Sequence, residues 1–156
     1  MLGVALLDQG HWGLLAKRLN NQGLNDRHIF GEAQVRHGED LLARNENPGA
    51  RSIDAMIYAK LGRREQALRN LQQSLAADPH NPVLLWFATQ TRSLLGLRRE
   101  ALDTLKVAVE NGFFNLPMIE YVTGPGLSLH ALRNDPEFHA IRADLARRID
   151  DLRARY

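Results

Sequence analysis

A short block occurs twice at a fixed interval, and it constrains the fold more than any other feature of the chain. Leu61-Gly62-Arg63-Arg64-Glu65-Gln66-Ala67-Leu68 returns as Leu95-Gly96-Leu97-Arg98-Arg99-Glu100-Ala101-Leu102. Leu61, Gly62, Arg64, Ala67 and Leu68 each repeat at the same offset. The interval from Leu61 to Leu95 is long enough for two helices and a turn. Such a unit cannot bury its apolar face alone, so successive units stack. Gly62 and Gly96 supply the tight turn between antiparallel helices.

The periodicity predicts helices over Ser52–Leu61 and Arg64–Ala77 in the first unit. Leu68, Leu71 and Leu75 form the apolar stripe of the second helix. Asp78-Pro79-His80-Asn81-Pro82 ends that helix, because proline supplies no donor and crowds the preceding turn. Helices over Val83–Leu95 and Arg98–Asn111 follow, with Leu102, Leu105 and Val109 repeating the stripe. Pro117–Val122 and Leu127–Arg133 read as a third copy that starts and does not complete. Asp135 then caps a last helix from Pro136 towards Tyr156. Phe138, Ile141, Leu145, Ile149, Leu152 and Tyr156 lie on one stripe of it, as a terminal capping helix requires.

Towards the N-terminus the pattern is degenerate. Leu2–Gln9 and Trp12–Asn20 read as a hairpin, and a further helix runs to about Arg44, weakened by Gly31 and Gly38. Asn45-Glu46-Asn47-Pro48-Gly49 reads as a breaker. The abrupt apolar start predicts that the chain is the tail of a longer protein. Its 156 residues fit one domain of residues 1–156: degenerate helices over 1–45, repeats over 48–81 and 82–115, and a degenerate repeat with its cap over 116–156. No apolar run approaches the roughly 20 residues that span a bilayer. Cysteine is absent, which removes disulfides and thiolate zinc sites and fits the cytoplasm. The alternative compartment is the periplasmic part of a membrane-anchored parent. Twenty basic residues nearly balance 18 acidic ones, so no nucleic-acid contact is expected.

At Ala55, Tyr58, Leu61-Gly62, Ala67, Leu71 and Pro79 the first unit resembles the tetratricopeptide repeat. The second keeps Leu95-Gly96, Ala101, Leu105 and Ala108, but has Thr89, Arg92 and Phe113 where the first has Ala55, Tyr58 and Pro79. The tail from Gly126 to Ile141 resembles the closing segment of repeat regions in bacterial multidomain regulators: winged-helix transcription regulators, nucleotide cyclases and serine/threonine kinases. The resemblance implies an all-α fold: a right-handed superhelical stack of antiparallel helical hairpins, an α-solenoid, with a C-terminal capping helix. It also implies a groove lined by the first helix of each hairpin. The aligned groove residues are Ser52, Met56 and Lys60 from the first unit and Trp86, Gln90 and Ser93 from the second. Chaperone-binding members hold a peptide carboxylate with a Lys and an Asn, and Ser52 and Met56 stand at those positions here, which disfavours that activity.

The expected role is therefore a non-catalytic scaffold that binds a protein or peptide partner, with no cofactor and no metal. The competing reading of Trp86 and Phe87 is packing against the next helix, since aromatic pairs at helical spacing are mostly core. Two other classes of function compete. One is a self-associating array. The other is a small helical enzyme with a metal at His28, Glu32 and His37, although these residues form no defined ligand pattern. Thr123-Gly124-Pro125-Gly126 lacks the lysine and spacing of a phosphate loop. Arg63-Arg64 and Arg98-Arg99 stand beside the hinges, each followed by a glutamate, and read as a solvated, salt-bridged edge.

Overall fold

Three helices begin on an asparagine cap, and the caps Asn47, Asn81 and Asn115 recur at the interval that separates Leu61 from Leu95. The computed structural model that shows this describes residues 47–156. The helices expected before Arg44 lie outside the described residues. The described residues form six helices: α1 Pro48–Lys60, α2 Arg64–Ala77, α3 Pro82–Leu94, α4 Arg98–Glu110, α5 Leu116–Tyr121 and α6 Pro136–Arg155. A 3-10 turn, His130–Leu132, stands where two helical turns are expected. No strand occurs among the described residues.

The caps explain the one large difference in boundaries. In sequence Asn47-Pro48-Gly49 reads as a breaker, with α1 starting at Ser52. In the fold the Asn47 Oδ1 accepts from the Gly49 amide at 2.9 Å, and Pro48 occupies the first helical position, where its missing N–H costs nothing. Asn81 caps α3 in the same way, accepting from Val83 and Leu84. Asn115 caps α5 through the Met118 amide.

Both first helices end in one geometry. Gly62 and Gly96 each have φ of +74°. The Gly62 and Arg63 amides fold back to the carbonyls of Ala59 and Tyr58, and those of Gly96 and Leu97 to Ser93 and Arg92. This pair of reversed bonds satisfies carbonyls that the helix end leaves open, and it needs a left-handed residue between them. Gly112, with φ of +100°, ends α4 by the same pair.

The most extensive packing is α1 on α2 and α3 on α4, the two hairpins; α1 also lies on α3, α2 on α3, α4 on α6 and α5 on α6. Ala55, Leu71 and Ala88 meet where the hairpins touch. The largest apolar cluster joins α3, α4, α5, the 3-10 turn and α6 around Leu102, Leu105, Ile119, Leu129, Phe138 and Leu145, all without exposed surface. The stripe of α2 is shifted from expectation. Ala67, Leu71 and Ser74 are the buried positions, with Leu68 and Leu75 partly covered.

Gly96→Ala has open space for its methyl group, so its cost is backbone strain alone. The expected loss is about 1–2 kcal/mol in urea unfolding, with Gly96→Asn losing less, because asparagine tolerates the left-handed region. Equal losses for both variants would contradict this account.

Candidate interaction surface

The residues expected to line the groove are mostly inside. Ser52, Met56, Trp86, Gln90 and Ser93 are buried, and Lys60 is exposed. Ser74 donates to the Pro48 carbonyl at 2.8 Å, so its hydroxyl oxygen accepts from Ser52, tying α1 to α2. Trp86 stacks on Phe113 with ring centroids 4.8 Å apart and planes 16° from parallel. Gln90 Oε1 accepts from the Ser128 hydroxyl at 2.8 Å. Trp86 is thus covered by Phe113 at the end of its own unit, and Gln90 is tied to Ser128 of the third. The exposed apolar residues lie elsewhere.

Phe114, Met118 and Tyr121 are 40 %, 43 % and 69 % exposed. Met118 and Tyr121, three residues apart, share one face of α5. Phe114 stands just before the Asn115 cap. The opposite face of α5 carries the fully buried Ile119. Between α5 and α6 lies a depression of about 220 Å³ lined by Leu116, Glu120, His139, Arg142, Ala143 and Ala146. Glu120 and Arg142 bridge its edge at 2.8 Å. Drug-sized sites occupy about 300–1,000 Å³, so the depression is too small for most organic ligands.

The paired arginines beside the hinges reach forward along the chain. Arg64 donates to the Leu95 carbonyl at 3.1 Å, capping the end of α3. Its repeat-equivalent Arg98 donates to Asp135 at 3.0 Å. Asp135 also accepts from the Glu137 and Phe138 amides, so one carboxylate caps α6 and pins it to α4. Glu137 receives Lys106 at 2.6 Å and Arg99 at 2.9 Å, and Arg99 also pairs with Asp103. The Arg98 hydrogen bond holds the Asp135 carboxyl below its usual range, and Lys106 and Arg99 do the same to Glu137. Arg92, which stands where the first unit has Tyr58, is half-buried and bonded to Thr104 of α4. Burial pulls its guanidinium down and Glu100 offsets part of this.

Among the described residues no three His, Cys, Asp or Glu side chains are grouped to hold a metal ion. His28, Glu32 and His37 lie outside those residues. No described helix is long and apolar enough to cross a membrane. The α5 face is absent from the groove expected from sequence. Its one signal there is the spacing of Phe114, Met118 and Tyr121 at four and three residues, which matches an amphipathic stripe. Compared with family models, curated proteins and solved structures, the chain matches none.

Two outcomes are expected from these contacts. Trp86→Ala is expected to lower unfolding stability by about 3–5 kcal/mol, as for other buried aromatic truncations; a loss under about 1 kcal/mol would show that the Phe113 stack does not hold α3 in place. Asp135 and Glu137 have lowered values in the fold, so their contribution is complete above the ordinary carboxylate range, about 4 to 4.5. It disappears as pH falls through the lowered values. Asp135→Asn keeps a capping side chain and removes the charge. Its thermal midpoint is expected to fall below wild type at neutral pH and to converge with it in acid. A gap that stays constant across that range would refute the ion pair's role.

Proposed function

We propose that the chain is a non-catalytic protein-interaction module of tetratricopeptide type, the regulatory or scaffold part of a bacterial signalling or transcription regulator working in the cytoplasm. The observation that carries this reading is the exposed apolar face of α5. Met118 and Tyr121 offer a thioether and an aromatic ring to solvent on a helix whose other face is locked into the core, with the exposed Phe114 just before its cap. Aromatic and methionine side chains dominate interface energies, and a cluster of them outside the core marks a contact surface. The repeated hairpin unit supports the same role, since stacked hairpins present rigid faces to partners.

In this reading a partner segment docks on α5 rather than entering between the first helices. The groove mode would need Trp86 and Gln90 released from Phe113 and Ser128. Lys60 is the exposed residue of that set.

Met118→Ala with Tyr121→Ala tests the face. Both side chains are exposed, so stability is expected to stay close to wild type, within about 0.5 kcal/mol for each change. Complexes cross-linked in cells to the wild-type chain are expected to fall by about tenfold or more, the loss typical of an aromatic anchor. Undiminished complexes with the fold intact would refute the α5 face. Recovery of another copy of this chain alone would favour a self-associating array instead.

A further inference from the structure

Helix α6 carries one apolar stripe whose two halves differ in environment. Phe138, Ile141 and Leu145 are buried in the main cluster, and Ile149 packs partly against it. Leu152, 38 % exposed, continues the stripe in solvent. Steps of four and three residues from Leu145 to Leu152 keep these side chains on one face. The residues bordering the outer half have one sign of charge. At about 100° per residue, Arg148 and Arg155 run along one edge and Arg153 along the other, while Asp150 and Asp151 fall away from the stripe. Arg148 pairs with Asp144, one turn back towards the core, at 2.8 Å. Arg153 stands a loose 3.9 Å from Asp150, with both side chains more than three-quarters exposed.

A helix laid on this stripe sets its own flanking residues against three arginines. A second copy of α6 would bring arginine against arginine, which is unfavourable at these flanking positions. A helix with aspartate or glutamate beside its apolar residues would pair all three. We propose that the outer end of α6 is a docking stripe for an acidic amphipathic helix of a partner protein. Ile149 and Leu152 take its apolar residues, and Arg148, Arg153 and Arg155 take its carboxylates. This surface is separate from the Met118 and Tyr121 face and stands whether or not that face binds.

The test uses the full chain and two synthetic amphipathic peptides with the same leucine stripe, one flanked by glutamate and one by lysine. Fluorescence anisotropy is expected to show the glutamate peptide binding about tenfold or more tighter than the lysine peptide, a margin that two or three exposed charge pairs supply and that added salt narrows. Arg153→Glu with Arg155→Glu is expected to reverse the preference, and Leu152→Ala to weaken both peptides. Met118→Ala with Tyr121→Ala is expected to leave the affinity unchanged, which separates this stripe from the α5 face. Equal binding of both peptides, binding of neither, or insensitivity to Leu152→Ala would overturn the proposal. So would a doubled sedimentation mass that Leu152→Ala abolishes, which would make a second copy the occupant. Binding of a DNA duplex that depends on Arg153 and Arg155 but not on Leu152 would likewise overturn it in favour of a nucleic-acid edge.

Discussion

Five alanines without exposed surface set the distances between the helices. Ala55 and Ala88 lie where α1 meets α3, and Ala67, Ala101 and Ala108 lie on the buried sides of α2 and α4. Packed helices stand about 8–10 Å apart depending on the side chains between them, and alanine gives the short end of that range. A larger residue there would overpack a filled contact. The polar ties depend on this approach. Ser52 meets Ser74, Arg92 meets Thr104, and Arg64 reaches the Leu95 carbonyl because the helices carrying them are already close. Each tie satisfies a group that would otherwise be costly to bury or leave open at a helix end. The hairpins are thus held first by small apolar contacts and then pinned by hydrogen bonds.

What is legible in the sequence is what is decided locally. The hinge glycines, the starts of α2 and α4 and the Asp135 cap depend on a few neighbouring residues, and in each case the structure agrees with the sequence reading. The asparagine caps are equally local. Asn-Pro doubles as a stop signal, and what separates a helix start from a breaker is the recurrence of the asparagine at Asn47, Asn81 and Asn115, in step with the repeat. The facing of side chains is not local. Trp86 sits on a helix with apolar residues on more than one side, and only the ring of Phe113, from beyond α4, decides which side is covered. Gln90 finds its partner in the distant Ser128. Arg98 and Arg99 likewise find acids in the next unit, so the salt-bridged edge read from the sequence takes its partners from farther along the chain than the adjacent Glu100, while Arg64 reaches a backbone carbonyl.

The third unit departs from the first two by length, and the open surfaces follow from that departure. Arg64 and Arg98 start their helices one period apart, and one further period leads to Leu132; α6 instead starts at Pro136, about one helical turn later. The position equivalent to the buried Ala67 and Ala101 is therefore Asp135, which is a cap and not a crossing. A carboxylate cannot make the close apolar contact that alanine makes. It reaches back to Arg98 instead, so the start of α6 is pinned to α4 by ion pairs and then packed by Phe138, Ile141 and Leu145.

Both α5 and α6 feel this change. Leu84 of α3 is 4 % exposed, while Met118, its equivalent one period later, is 43 % exposed. Helix α3 is covered by Phe113 and by Ser128 of the third unit; α5 is a short helix that turns only its inner face to the core. Meanwhile α6 is the longest described helix, and its buried positions end at Leu145, so its apolar stripe outruns the core it serves. The same shift of register that replaces an alanine crossing with an ion pair thus leaves one apolar face on α5 and another at the end of α6. Helical repeats solvate such ends with polar residues when nothing further packs there. Tyr121 and Leu152 do not follow that rule.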